Sequence, residues 1–183
     1  MKLIDTDALL QAARMNGFAG ESALKFLMLL LRFRRINKIY EENTDKSGIE
    51  FIDSMIEHLG IRYEISPDEL EKIPREGAFI TVSNHPFGGI DGLLLIKLLA
   101  TVRPDYKVLP NFLLGRMEPV ADFIFDGGNL NPAGLKQALK HVEEGHPMGI
   151  FPAGEVSSFD QDIQAVTDPQ WQFRVLQSLK KAR

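Results

Sequence analysis

GAFITVSNHPFGGIDGLLLIKLLAT, residues 77–101, decides how this chain is read. Its first part, Gly77–Ser83, is a short β-branched and aromatic run with no charge, the pattern of a buried strand. Its last part, Asp91–Thr101, is apolar around most of its circumference, so it reads as a buried helix. Between them, Asn84–Ile90 forms a loop in which Gly88 and Gly89 let the backbone turn tightly. A buried strand thus hands His85 to a loop, and the loop delivers Asp91 to a helix start, where the helix dipole favours a carboxylate. Such a carboxylate can accept a hydrogen bond from one imidazole nitrogen and leave the other free to take a proton.

The same alternation continues on both sides. Ile49–Leu59 has Ile52, Met55, Ile56 and Leu59 on one helical face, and Gly60 suits its C-cap. Ile61–Ile65 alternates like a strand. Ser66-Pro67-Asp68-Glu69 opens a short helix, with Ser66 as N-cap and Pro67 at the first position. Downstream, Tyr106–Leu109 reads as a strand, Ala121–Phe125 as another after an ambiguous stretch, Pro132–Glu144 as a helix, Pro147–Phe151 as a strand, Pro152–Phe159 as a loop and Pro169–Lys181 as a last helix. Strands alternating with helices predict an α/β fold: a layered, mostly parallel or mixed β-sheet flanked by helices. In such sheets, sites form in loops at the strands' carboxyl ends.

Before this domain lies an N-terminal helical segment, residues 1–45, with helices expected over Asp5–Met15 and Glu21–Tyr40 and a break at Asn16–Gly20. The Phe26–Lys38 stretch carries an apolar face followed by Arg32, Arg34, Arg35 and Lys38. It reads either as a core helix with a solvated basic end or as an interfacial helix docked on anionic headgroups. The α/β domain is expected over 46–183. A basic helix at the chain's end, with no returning strand, is read as a sign of incompleteness at the C-terminus.

Composition narrows the function classes. There are 183 residues, a formal net charge of −4 and no cysteine. The balance does not point to nucleic acid. Disulfides, zinc–thiolate sites and a cysteine nucleophile are excluded. No metal is expected, because no further His or carboxylate ligand lies near His85 and Asp91 in sequence. The longest apolar run is too short for a spanning helix.

Two motifs together carry a family likeness. Asn84-His85 followed by a short loop and Asp91 resembles the catalytic motif of the PlsC-like glycerolipid and lysophospholipid acyltransferase superfamily. Within it, NHPFGGIDG is most similar to a bacterial hemolysin-like branch related to ornithine-lipid-type acyltransferases. The usual loop has four residues between His and Asp; here there are five, Pro86 to Ile90, which marks the branch. The second motif, Phe151-Pro152-Ala153-Gly154-Glu155-Val156-Ser157, resembles the family's Phe-Pro-Glu-Gly-Thr-Arg-Ser loop. Phe151, Pro152, Gly154 and Ser157 match; Ala153 stands at the Glu position and Val156 at the Arg position, which argues against a glycerol-3-phosphate-type acceptor. Arg116 falls in a loosely matched middle block and receives no role.

The resemblance implies acyl transfer from acyl-CoA or acyl carrier protein to a hydroxyl of a lysolipid-like acceptor, with no cofactor besides that co-substrate. His85 and Asp91 would be catalytic. Asn84, Phe87, Gly88, Gly89, Phe151, Pro152, Gly154, Glu155 and Ser157 would line the substrate. The membrane surface would be a partner, at the cytoplasmic side of the inner membrane, peripherally. Two other readings remain open: a catalytically silent, hemolysin-like membrane-binding module, and a lipid hydrolase in which His85 serves a serine. No Gly-x-Ser-x-Gly elbow supports the hydrolase.

Overall fold

The β-branched run ahead of the histidine loop forms a strand, but a short one: β1 spans Ile80–Val82. This computed structural model describes residues 3–5, 32–111, 113–126 and 132–172. The chain divides into two units, Met1–Ile61 and Arg62–Arg183.

In the first unit, residues 32–41 are helical and α1 spans Gly48–Leu59. The expected helix over Asp5–Met15 and most of the one over Glu21–Tyr40 lie outside the described residues. The inward face of α1 is Phe51, Ile52, Met55 and Ile56, all buried with Ile39 and Tyr40. The Tyr40 and Phe51 rings meet edge to face at 5.8 Å, the arrangement aromatic quadrupoles favour. Gly60 ends α1 in the left-handed conformation at φ 69°, and its N–H and that of Ile61 bond back to Glu57 and Ile56. The turn between the helices is held by buried Asn43. Its amide donates to the Ile39 carbonyl at 2.7 Å, and its oxygen accepts from Ser54 and from Lys46.

The second unit carries a three-stranded parallel sheet in the order β1-β3-β2, with β2 at Lys107–Val108 and β3 at Met148–Ile150. Ile80 pairs with Met148 and Val82 with Ile150; Val108 pairs with Gly149. Among the described residues, three α-helices accompany it: α2 Pro67–Glu71, α3 Gly89–Val102 and α4 Pro132–Glu143. α3 links β1 to β2, and α4 precedes β3, as parallel neighbours require. The central strand is wholly buried. Met148 and Ile150 pack with Leu109, Phe125, Ala138 and Val142. The α/β expectation therefore holds, with a sheet that is parallel throughout.

Gly149 is there because Tyr106 passes over the middle of the sheet. A Cβ at Gly149 would stand 2.0 Å from the Tyr106 hydroxyl oxygen. That hydroxyl pairs with Thr81 Oγ1, and burial pushes the Tyr106 phenol well above its usual range, so it stays neutral.

Five expectations are corrected. Ile61–Ile65 forms no strand: residues 61–66 have no regular structure, and no strand among the described residues pairs with them. Ser66 precedes α2 in an extended conformation with Pro67 at the first position, but its hydroxyl makes no cap bond. Ala121–Phe125 is not a strand; Glu118–Phe123 is 3-10 helical, and only an isolated bridge joins Ile124 to Val108. The loop after β3 ends in a hairpin, β4 Ser158–Asp160 antiparallel to β5 Ala165–Thr167. Pro169–Gln172 is not helical either, and the remainder of that predicted helix lies outside the described residues. Among the described residues, no helix is long and apolar enough to cross a membrane.

Candidate active site

Beyond β1, Ser83 still bonds to the Ile150 carbonyl, so the chain reaches His85 directly from the carboxyl edge of the sheet. Gly88, at φ 68° and ψ −131°, then caps α3. That conformation is open to glycine at little cost. It brings Asp91, in the first turn of α3, back under the loop. The Asp91 Oδ2 accepts the Phe87 N–H at 2.8 Å and lies 3.1 Å from His85 Nδ1. The pairing expected from the motif is thus assembled. The Nδ1 contact is close but off-line, so this buried nitrogen has no aligned partner; the carboxylate acts on it chiefly through proximity of charge.

His85 is 1% exposed. Its ring lies against Phe151, with centroids 4.5 Å apart and the planes tilted by 34°. Its other nitrogen, Nε2, is 2.7 Å from Asn111 Nδ2. The orientation of that amide is fixed independently, because Asn111 Oδ1 accepts the Leu114 N–H at 2.8 Å. The nitrogen facing His85 is therefore a donor. An amide donor at Nε2 requires a lone pair there, which places the ring proton on Nδ1, the side of Asp91. This is the tautomer a general base needs.

The second motif loop is stitched to the first. Ser157 N–H donates to the His85 carbonyl at 2.9 Å. Asp168 Oδ1 accepts both the His85 N–H, at 3.2 Å, and the Ser157 hydroxyl. Asp168 Oδ2 accepts Trp171 Nε1–H at 2.9 Å. Burial raises the Asp168 carboxyl, but the donors from Ser157, Trp171 and His85 outweigh it and hold it below its ordinary value. Both ends of the β4–β5 hairpin are thereby rooted on the backbone of His85.

A cavity of about 460 Å³ opens beside these groups. Ile65, Leu94, Leu95 and Leu98 give it an apolar wall, and Asn84 and Asp91 give it polar edges. Such a combination suits a ligand that is mostly hydrocarbon with one polar end. Of the residues expected to line substrate, Asn84 and Phe151 border this cavity. Phe87 is 70% exposed and points to solvent. Pro152 is buried, with its carbonyl accepting from Gln172. Gly154, at φ 72°, spends its N–H on the Phe151 carbonyl. Ser157 is turned to Asp168, and Glu155 is exposed. Gly88 and Gly89 shape the turn into α3. The sequence reading missed Asn111, Asp168 and Trp171. The usable signal for Asn111 was its place just past β2, a third strand end on the same edge of the sheet.

Comparison with known proteins gives the family. The acyltransferase family profile matches residues 5–182, so the chain belongs to the acyltransferase family. It is 31% identical over 178 residues to the lyso-glycine lipid O-acyltransferase of Bacteroides thetaiotaomicron, covering 92% of this chain and 63% of that protein. It is 30% identical over 161 residues to the lyso-glycine lipid O-acyltransferase of Phocaeicola vulgatus, covering 83% of this chain and 56% of that one. The chain therefore spans roughly three-fifths of the length of these relatives. No solved structure matches it significantly.

Proposed function

We propose that this protein transfers a fatty acyl group from a thioester, acyl-CoA or acyl carrier protein, to a hydroxyl of a lysolipid of the lyso-glycine-lipid kind. The observation that carries the reading is the state of His85. The ring is buried beside a carboxylate at the carboxyl edge of a parallel sheet, with Nδ1 on the side of Asp91 and Nε2 facing the Asn111 amide nitrogen, an arrangement that suits a proton on Nδ1 and a lone pair on Nε2.

In this reaction Nε2 removes the acceptor's hydroxyl proton as the oxygen attacks the thioester carbonyl. Asp91 steadies the positive charge that develops on the imidazole. The tetrahedral intermediate then collapses, the C–S bond breaks, and the departing sulfur takes the proton from Nε2. Base assistance of this kind is typically worth about 10²–10⁴ in rate. The developing oxyanion needs donors. Gly154 is not one, since its N–H is used within its own turn. The amides of the cap residue Gly88 and of Gly89, the first residue of α3, have no partner within α3 and suit the role. The apolar wall of Leu94, Leu95 and Leu98 receives hydrocarbon.

We place its work, on this reading, at a membrane surface where a lipid acceptor is met, peripherally and on the cytoplasmic side of the inner membrane. The basic residues of the helical stretch 32–41, with Arg32, Arg34 and Arg35, suit anionic headgroups there. Hydrolysis is disfavoured, because the Ser157 hydroxyl donates to Asp168 and not to His85.

The test is product identity. The chain is incubated with acyl-CoA or acyl carrier protein and a panel of lysolipids in vesicles, and products are read by mass spectrometry. An acylated lysolipid, formed with release of one thiol per ester, supports transfer. Free fatty acid formed at the same rate without any acceptor overturns it.

A further inference from the structure

The geometry points to Asn111 as a positioning residue for the base: its side-chain amide holds His85 in the reactive tautomer and occupies the Nε2 position until an acceptor hydroxyl replaces it. This rests on the proposed acyl transfer and adds a component that neither motif contains.

Three observations lead to it. Nε2 of a ring that is 1% exposed has the Asn111 Nδ2 at 2.7 Å. The amide cannot serve Nε2 with its oxygen, because that oxygen is tied to the Leu114 N–H. On the other side of the ring, Nδ1 has a close carboxylate but no aligned hydrogen bond. Asp91 alone therefore defines the tautomer poorly, and the well-formed contact that defines it is the one from Asn111.

The arrangement also blocks the base. One lone pair sits on Nε2, and an amide N–H already takes it. Proton abstraction requires the acceptor O–H at that same place. The acceptor hydroxyl must displace the amide before its proton can move to Nε2. A bound acceptor thus frees the base, and water arriving alone meets an engaged nitrogen.

Asparagine's other role here is structural: Oδ1 caps the Leu114 N–H in an Asx-type turn, which aspartate does equally well. Asn111→Asp therefore separates the two roles. It keeps the turn, but it presents an oxygen to Nε2, and that oxygen is satisfied only when Nε2 carries the proton.

The experiment uses the full chain labelled with ¹⁵N-histidine at pH 8, where an ordinary imidazole is neutral. The His85 signals are assigned by their absence in His85→Ala. The expected wild-type spectrum shows Nδ1 protonated and Nε2 bare. Asn111→Asp puts a proton on Nε2, whether or not Nδ1 keeps its own beside Asp91, and Asn111→Ala loses the strong preference for either form. In the acyl-transfer assay, Asn111→Asp is expected to fall at least about 100-fold while its thermal unfolding stays close to wild type, in keeping with loss of a general base. A wild-type spectrum with Nε2–H, or an Asn111→Asp protein that transfers within about threefold of wild type, overturns the assignment. If wild type makes no ester at all, the proposed activity fails, and the spectra still decide whether Asn111 sets the ring.

Discussion

Replacing Asp168 with alanine removes the carboxylate that joins the two motif loops. Three donors lose their acceptor: the His85 N–H, the Ser157 hydroxyl and the Trp171 indole N–H. Hydrogen bonds to charged groups are worth about 1.5–3 kcal/mol each when well shielded. Asp168 is only partly buried, and the His85 bond is long at 3.2 Å, so the lower end applies and water rescues part of the loss. The expected cost is about 2–3 kcal/mol. Asp168→Asn keeps an acceptor oxygen but not the charge, and should cost about 1 kcal/mol. The pH dependence follows from the carboxyl being held below its ordinary 3.8. Its contribution is complete above that value and is lost as pH falls through the lower, folded-state value. The assay is urea unfolding followed by circular dichroism and by Trp171 fluorescence, the chain's one tryptophan. Because the same bonds set the His85 backbone, acyl transfer should fall about 10–100-fold, the scale expected of a misplacement near 1 Å. An Asp168→Ala protein within about 0.5 kcal/mol of wild-type stability, with unchanged activity, would refute the claim that Asp168 organises the site.

Other perturbations follow from the same contacts. Gly149→Ala drives a Cβ to 2.0 Å from the Tyr106 hydroxyl oxygen in a buried strand, so overpacking should cost about 3 kcal/mol or more. Adding Tyr106→Phe should recover part of it in a double-mutant unfolding cycle, and no recovery would place the strain elsewhere. Asp105 is held at about 2 by its Arg103 bonds, with burial opposing and His146 assisting. Its side chain is 30% exposed, so the shift is worth about 1–1.5 kcal/mol after allowing for solvent screening. That stability should disappear as pH drops from about 4 to about 2, and Asp105→Asn, less stable at pH 7, should lack that part of the pH dependence. Asp91→Asn keeps an oxygen for the Phe87 N–H but removes the charge beside His85. Ester formation should fall about 10²–10³-fold with the fold intact; a loss under fivefold would mean that Asp91 only shapes the loop.

The strand, loop and helix around His85 were legible because every signal there is local. The β-branched run, the paired glycines and the unbroken apolar helix each constrain their own residues, and Gly60 and Pro67 mark their helix ends in the same way. Three of the errors concern strands, Ala121–Phe125 among them, which is 3-10 helical up to Phe123. Ile61–Ile65 has the right period but no partner, and a strand exists only through its neighbour. The β4–β5 hairpin was missed because Phe159 and Val166 pair across a turn with a positive φ at Gln164, where glycine would ordinarily announce it. Asn111 and Asp168 were hidden for a different reason. Each acts through contacts 26 and 83 residues distant in the chain, and neither has a local pattern. What placed Asn111 in the site is its position after β2, and only the pairing of β2 with β3 brings that strand end to the histidine.

The most direct test of the account is single-turnover acyl transfer by the chain and by His85→Ala, with a thioester donor and a lyso-glycine lipid in vesicles. Both the new ester and the liberated thiol are followed. The account predicts ester and thiol appearing together in the wild type and a rate at least about 100-fold lower in His85→Ala, with unfolding behaviour retained. Equal ester formation by the two proteins would contradict it, because the base would then lie elsewhere.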